Sequence, residues 1–182
     1  MEEALYEIAS LRNFAGLDLR EAIPDETTIL NFRHLLKAND IAEEIFEGAN
    51  LLLQDYGLMV RRGTIVSATI IGAPSSTKNV EGKRALEMHQ TKKGNQWYFG
   101  MKAHIGTDEA SGLVHSVEGT AANVSDLSQA HALLHGEEKR VGADAGYTGV
   151  EKRPEVVALG REIEWRVAAR RSTLKAQPEG WA

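Results

Sequence analysis

The sequence contains no cysteine, which excludes disulfide bonds and thiolate metal sites and is typical of a reducing compartment. It also lacks any run of about 18 apolar residues, so no segment is predicted to span a membrane. The chain begins with two glutamates after Met1 rather than with a basic and then apolar signal peptide. These absences predict a cytoplasmic globular protein, and 182 residues with 42% apolar content are enough to bury a core.

The net charge of −5 is unevenly distributed along the chain. Residues 1–57 carry 4 basic and 12 acidic side chains, whereas residues 58–182 carry 17 basic and 14 acidic ones. Basic residues cluster in the stretches 78–102 and 152–175, where several cations can meet a phosphate backbone at once. Ordinary solvated faces would give the same pattern, so charge alone leaves DNA binding open.

The hydrophobic period changes after Gly57, which marks a predicted boundary. Before it, helical spacing predicts three helices: the first carries Ala4, Ile8 and Leu11, the second has Asp25 as its N-cap, and the third covers residues 41–53. After it, the predicted strands cover residues 64–71, 96–105, 113–120, 141–145 and 163–168, and a polar loop covers 72–95. Helices are predicted after residue 125 and over 150–159. Three strands, helix, strand, helix, strand is an α/β order.

Three motifs follow one another along this part of the chain. They are GTIVSATIIGAPSSTKN at 63–79, MHQTKKGNQWYFGMKAHIG at 88–106 and GADAGYTGVEKR at 142–153. With these motifs the chain resembles the transposases of bacterial insertion sequences, the number-five group of the DDE superfamily. The resemblance implies a ribonuclease H-like mixed sheet core at 58–182, preceded by a partial N-terminal helical region at 1–57. It also implies DNA transposition, by metal-dependent strand cleavage and strand transfer at insertion-sequence ends. The implied partners are that DNA and further transposase subunits, as a homo-oligomer or as intact transposase.

In the resembled family, two Asp and one Glu hold two divalent cations, expected to be Mg²⁺, at the scissile phosphodiester. Asp144 matches the second Asp and is the candidate metal ligand, although an Asp before Gly is also a common turn cap. Ser67 stands where the family has its first Asp. The chain ends before the family's Glu motif, and Glu155, Glu162 and Glu164 lie in no such motif. The resemblance therefore implies a catalytically inactive fragment, truncated at both ends. The alternative is a non-catalytic DNA-binding or subunit-binding fragment that interferes with an intact transposase.

The candidate DNA contacts begin in the basic stretch. Lys92, Lys93, Asn95 and Trp97 place two ammonium groups, an amide and an aromatic ring where DNA phosphates could be met, and an ordinary exposed loop is the alternative.

Two further candidates lie on the predicted second strand. Lys102 and His104 share one face of it and are expected beside Ser67, near the scissile phosphate; a satisfied or solvent-facing pair is the alternative. Asp126 is predicted to be a helix N-cap, with Gln129 at the capping-box position.

Overall fold

The structure is a computed structural model that describes residues 2–18, 20–74 and 85–170, together with Thr173. It divides into two compact units, residues 1–52 and residues 53–182. Lys78 and Lys175 of the predicted basic stretches lie outside the described residues. In the part of the chain that is described, no helix is long and apolar enough to cross a membrane.

The N-terminal part of the chain forms four helices: α1 (Glu2–Glu7), α2 (Ala9–Phe14), α3 (Glu26–Ala38) and α4 (Ile41–Asp55). The first predicted helix is divided in two, because Ile8 has extended backbone angles of φ −110° and ψ 98°. Asp25 is the N-cap of α3, as predicted, and its Oδ1 accepts a hydrogen bond from the Thr28 N–H at 2.6 Å. This bond satisfies one of the N–H groups that a helix start leaves without an intrahelical partner.

The second unit is built on a six-stranded mixed sheet. Its strands are β1 (Gly63–Gly72), β2 (His89–Lys93), β3 (Gln96–Asp108), β4 (Val114–Ala121), β5 (Arg140–Ala143) and β6 (Glu164–Val167). The central strand β1 is antiparallel to β3 and parallel to β5, and β5 is parallel to β6. Strand β3 also pairs with β2 and with β4, both antiparallel. An antiparallel meander extended by two parallel strands is the ribonuclease H-like core that the sequence predicted.

Strand β2 corrects the prediction of a loop over residues 72–95. It forms a hairpin with β3, in which Lys92 lies opposite Trp97 and Lys93 opposite Gln96. The turn consists of Gly94 and Asn95, and Gly94 has a φ of 62°. Glycine accepts this left-handed conformation without a steric cost, and two-residue turns of this kind join adjacent antiparallel strands.

The helices that connect the parallel strands are short. After β4, α5 (Asp126–Gln129) continues directly into a 3-10 turn over Ala130–Leu133. The helix predicted over 150–159 is instead a 3-10 turn at Val150–Lys152 followed by α6 (Pro154–Val157). Pro154 causes the division, because proline has no N–H for the preceding turn but fits the first position of a new helix.

The hydrophobic core lies on one face of the sheet. The sheet contributes Val66 of β1 and Val141 of β5 to this core. The short helices and turns cover these two residues with fully or nearly buried side chains: Ala130, Leu133, Tyr147, Val150 and Val156. Gly106 of β3 lies where this cover comes closest, since a Cβ there would be 2.5 Å from the carbonyl oxygen of Leu133. The absence of a side chain at Gly106 therefore permits the cover to approach the sheet.

The opposite face of the sheet is much more open. Ile65, Ile71 and Val117 lie on this face and are 42%, 56% and 50% exposed. Parallel strands are normally covered on both faces, and apolar side chains left in water are a feature of surfaces that associate. The core described above accounts for one face only.

Candidate functional site

Asp144 follows the last residue of β5 and begins the 3-10 turn at Ala145–Tyr147. Its backbone is extended, and its Oδ1 accepts a hydrogen bond from the Gly146 N–H at 2.7 Å. The side chain is thus a turn cap in the structure, the alternative role that the sequence left open. The carboxylate remains exposed, so its second oxygen faces an accessible surface.

Ser67 lies in the middle of β1 and is exposed. Strands β1 and β5 run parallel in a register from Gly63 opposite Arg140 to Val66 opposite Ala143. Ser67 and Asp144 each come directly after the last pair of this register, Val66 and Ala143. The two positions that the sequence singled out thus lie one residue beyond the paired ends of neighbouring strands.

These two side chains do not fit a pair of divalent cations. Hard cations such as Mg²⁺ prefer several oxygen ligands, and two-cation sites depend on anionic ones. Ser67 supplies a neutral hydroxyl, and one oxygen of Asp144 already accepts a backbone hydrogen bond. Among the described residues, no group of three or more His, Cys, Asp or Glu side chains is placed to hold a metal ion.

Lys102 and His104 lie on the opposite face of the sheet from Ser67, which corrects the prediction that they are neighbours. In the antiparallel register Ser67 is opposite Ile105, so His104 is opposite Ala68 and Lys102 is opposite Ile70. Directly opposite residues share a face and adjacent residues do not. His104 is fully buried, and the Lys102 side chain is only 13% exposed.

Lys102 is held by contacts on the core side of the sheet. Its Nζ donates to the Val124 carbonyl at 2.6 Å and to Asp126 Oδ1 at 2.7 Å. Asp126 is therefore the partner of a buried cation and not an N-cap; the N-cap position belongs to Ser125, whose side chain makes no capping bond. An ammonium group engaged in this way joins β3 to the start of α5 and is not available to DNA.

His104 and Tyr147 complete this buried polar group. His104 Nε2 is 2.8 Å from Thr120 Oγ1, and its Nδ1 is 3.9 Å from Asp126 Oδ1. Burial lowers the pKa of His104 against the attraction of Asp126, so the ring is neutral near pH 7. Burial, with the nearby charges of Asp126 and Asp144, raises the pKa of Tyr147. Among the described residues, His104 Nδ1 and the Tyr147 hydroxyl are buried without a hydrogen-bond partner, and the Asp126 side chain is 34% exposed.

The β2–β3 hairpin carries the remaining predicted DNA contacts on an exposed surface. Lys92, Lys93, Asn95 and Trp97 are all exposed, and Trp97 is 64% exposed. The Lys92 ammonium lies 5.9 Å from the centroid of the Trp97 ring, within the range of a cation–π contact. This part of the predicted site is thus accessible.

The second basic stretch offers fewer free cations than its sequence suggests. Arg153, Arg161 and Arg166 each form an ion pair with a glutamate of this chain: Glu155, Glu138 and Glu164, respectively. Lys152 and Arg170 are exposed. The hairpin, with two exposed lysines beside an exposed aromatic ring, is therefore the stronger candidate for phosphate contact.

Two buried carboxylates escaped the sequence analysis. The first is Asp108, which ends β3 and is 1% exposed. Its Oδ2 accepts from the N–H groups of Val60 at 3.0 Å and Arg61 at 2.6 Å. Its Oδ1 accepts from Ala110 N–H at 2.9 Å, and from Ser111 N–H at 2.8 Å and Oγ at 3.1 Å. Asp108 thus fixes the entry to β1 against the β3–β4 turn.

The second is Glu138, which is 4% exposed and lies just before β5. It accepts hydrogen bonds from His135 N–H, from Gly136 N–H at 3.0 Å and from Thr64 Oγ1 at 3.4 Å. The Arg161 guanidinium contacts it with both terminal nitrogens at 3.3 Å. Such a carboxylate is well compensated, as burial of a charge requires.

His115 of β4 joins this network. Its Nε2 is 3.1 Å from Thr64 Oγ1, and its ring meets that of His135 edge to face at 5.0 Å. Burial, together with repulsion from His135, lowers the pKa of His115 to about 4. The contacts of Asp108 with Val60 and Arg61, and of Glu138 with Thr64 and Arg161, are long-range, and the sequence gives no local signal for them.

A ribonuclease H-like sheet, with Ser67 in β1, Asp144 directly after β5 and an exposed basic hairpin, fits a protein of the nucleic-acid-processing class. Comparison with known families is more specific. Residues 59–178 match the family model described as a transposase DDE domain, and residues 1–35 match one described as a transposase domain. The chain belongs to the DDE-type insertion-sequence transposases. No solved structure gives a significant match. The family acts in DNA transposition, binds DNA and uses divalent metal ions.

Proposed function

We propose that this chain acts in DNA transposition as a member of the number-five group that does not itself cleave DNA. The observation that supports the proposal is that Ser67 and Asp144 each follow directly after the paired residues Val66 and Ala143 of neighbouring strands. Because a neutral hydroxyl replaces one carboxylate, two Mg²⁺ ions at this position would repel each other with too little compensating charge. We assign residues 1–57 to the helical transposase region and 58–182 to the DDE core, and place the protein with its DNA in the cytoplasm.

The first test is metal binding and DNA cleavage by the purified chain. We expect calorimetric titration to show Mg²⁺ or Mn²⁺ binding no tighter than millimolar. We also expect no nicking of a duplex that carries the ends of the element. Asp144→Ala serves as the matched variant, since it removes the remaining carboxylate and should change neither result.

The proposal of inactivity would be overturned by robust metal-dependent nicking that Asp144→Ala abolishes. Ser67→Asp alone is not expected to restore cleavage, because no third ligand accompanies it among the described residues. A gain of nicking in Ser67→Asp would show that the remaining ligand is present after all.

DNA binding itself is proposed to depend on the β2–β3 hairpin. Replacing Lys92 and Lys93 together by Ala should weaken binding to all duplex sequences alike, since phosphate contacts carry no sequence information. The two lost contacts should also make the plot of log affinity against log salt shallower by about 1.8. Unchanged affinity and slope would remove the hairpin from the DNA interface.

A second candidate function is interference with an intact transposase through subunit binding. The open sheet face, where Ile65, Ile71 and Val117 are exposed, favours this candidate. Added to a strand-transfer reaction of the intact enzyme, the chain should inhibit it. Ile71→Lys should relieve inhibition that acts through subunit contact, whereas the Lys92 and Lys93 double variant should relieve inhibition that acts by competition for DNA.

A further inference from the structure

The β2–β3 hairpin extends beyond the rest of the sheet. Strands β1 and β4 pair with β3 only from Gly100 and Met101 onward. Residues 96–98 of β3 are therefore paired, within the described residues, with β2 alone, whereas the Phe99 carbonyl also accepts from the Ala73 N–H at 2.7 Å. A two-stranded ribbon of this kind has little core to protect, so the choice of its exposed side chains is not explained by packing.

Trp97 is the most conspicuous of these side chains, since it is 64% exposed. It contributes little to any hydrophobic core, and leaving so large an apolar ring in water is unfavourable. An exposed aromatic ring does provide a flat surface on which a nucleobase can stack. The exposed ring could therefore stack against a bound nucleobase, an interaction that the isolated fold does not provide.

The charges around Trp97 match a polyanion. The stretch 88–100 contains two lysines and one histidine and no acidic residue, within a chain whose net charge is −5. Lys92 of β2 lies directly opposite Trp97 of β3, and Lys93 follows Lys92 along β2. A hollow of about 330 Å³ adjoins the ring, lined by Gly72, Ala73, Gln90, Trp97, Tyr98 and Phe99. The ring, Lys92 and the hollow share one face of the hairpin, and Lys93 lies on the other face at the turn.

This combination fits unpaired nucleotides better than a duplex. In a duplex the bases stack on one another, so an aromatic side chain reaches a base face only at an end or a distortion. In a single strand each base has a free face, and single-strand binding combines aromatic stacking with cations along the backbone. Phosphate contact alone would require the lysines but not the tryptophan.

We propose that the β2–β3 hairpin binds single-stranded DNA, with a base stacked on Trp97, the adjoining phosphate held by Lys92 on the same face, and a further phosphate met by Lys93 where the strand passes the turn. This inference rests on the proposed DNA-binding function and adds the state of the DNA that the hairpin prefers. Stacking does not distinguish bases by hydrogen bonding, so the binding is expected to tolerate many sequences.

The test compares the affinity of the full chain for an oligothymidylate of about 12 nucleotides with its affinity for a blunt duplex of the same length. Trp97→Ala should weaken single-strand binding roughly 5- to 140-fold, the equivalent of losing one stacked base. Its duplex affinity should remain within about twofold of the wild type, because the phosphate contacts remain. Trp97→Phe should retain most of the single-strand affinity.

The matched control is Phe14→Ala, which removes another exposed aromatic side chain, 88% exposed, from the N-terminal helices. It should leave both affinities unchanged. Equal losses of single-strand and duplex binding in Trp97→Ala, or no loss at all, would overturn the stacking proposal. In that case the Lys92 and Lys93 double variant decides separately whether the hairpin contacts duplex DNA. If the wild-type chain binds neither DNA, the proposed function fails together with this inference.

Discussion

Asp108 offers a quantitative test of how the second unit is held together. In Asp108→Ala, the N–H groups of Val60 and Arg61 lose the buried carboxylate that accepts from them. The bonds from Ala110 and Ser111 are local to the β3–β4 turn, so we count only the two bonds that join this turn to the segment before β1. Hydrogen bonds to a charged group contribute about 1.5 to 3 kcal/mol each, which gives a loss of roughly 3 to 6 kcal/mol. This is a large part of the 5 to 15 kcal/mol that typically stabilises a domain.

The assay is equilibrium unfolding in urea, followed by tryptophan fluorescence. Glu109→Ala is the matched control, because it removes the adjacent carboxylate, whose ion pair with Arg140 is at the surface. Exposed pairs contribute about 0 to 1 kcal/mol, so the control should unfold almost as the wild type does. Our reasoning about Asp108 is refuted if Asp108→Ala unfolds within about 1 kcal/mol of the control.

The contribution of Asp108 should also depend on pH. Burial alone would raise the pKa of Asp108, but hydrogen bonds from Ser111, Arg61 and Ala110 together hold it below the usual value. A carboxyl whose pKa is lower in the folded state binds more protons when unfolded, so it stabilises the fold at pH values above its unfolded pKa of about 3.9. The stability difference between wild type and Asp108→Asn should therefore be constant from about pH 7 to pH 5 and decrease below about pH 4. A difference that persists unchanged at about pH 3 would contradict this assignment.

The remaining predictions concern three other positions. Gly106→Ala should lower the free energy of unfolding by about 1 to 3 kcal/mol, because the added Cβ would overpack against the carbonyl of Leu133. Gly119→Ala is the control in the same urea assay and should lower the free energy of unfolding much less, since a Cβ there meets nothing within 4 Å. In the wild type, the free energy of unfolding should fall as pH falls from about 6.5 towards about 4, because the unfolded His115 ring binds a proton that the folded ring does not. His115→Gln should reduce this fall. An unaltered pH profile would show that His115 does not cause it. Ile71→Lys should reduce self-association in sedimentation experiments if the open sheet face is adhesive, and equal association of both proteins would point to another surface.

The sequence predicted the positions of β1, β3, β4, β5 and β6, where apolar residues alternate with polar ones or form a run. Strand β3 was predicted from its alternation of apolar and polar residues, but its faces are the reverse of that pattern: His104 and Lys102 lie on the core side, whereas Trp97 is 64% exposed. Strand β2 was missed because its side chains are mostly exposed on both faces, so it shows no alternation. The Gly94-Asn95 pair before an aromatic strand was the available signal for a two-residue hairpin turn.

The candidate site was predicted less completely, because it depends on register. Placing Lys102 and His104 beside Ser67 required them to face Ser67 across β1 and β3. The true register puts Ile105 opposite Ser67, and a difference of one residue moves a side chain to the other face of the sheet. The pairing of Asp126 with Lys102 was likewise unpredictable, because the two residues are 24 positions apart and local propensity favours a cap.

The central position of β1 has a consequence for synthesis of the protein on the ribosome. Strand β1 begins at Gly63, but its parallel neighbour β5 begins at Arg140, and the sheet is finished only at Val167. At roughly 5 to 20 residues per second, about 5 to 20 s separate the first strand from the last. During this interval the nascent meander of β1, β3 and β4 has neither β5 to pair with nor a completed core on Val66. An incomplete sheet exposes unpaired strands and apolar side chains, which favour aggregation until the last strands have been synthesised. The yield of folded protein should therefore depend more on chaperone supply and expression temperature than on the stability of the finished fold.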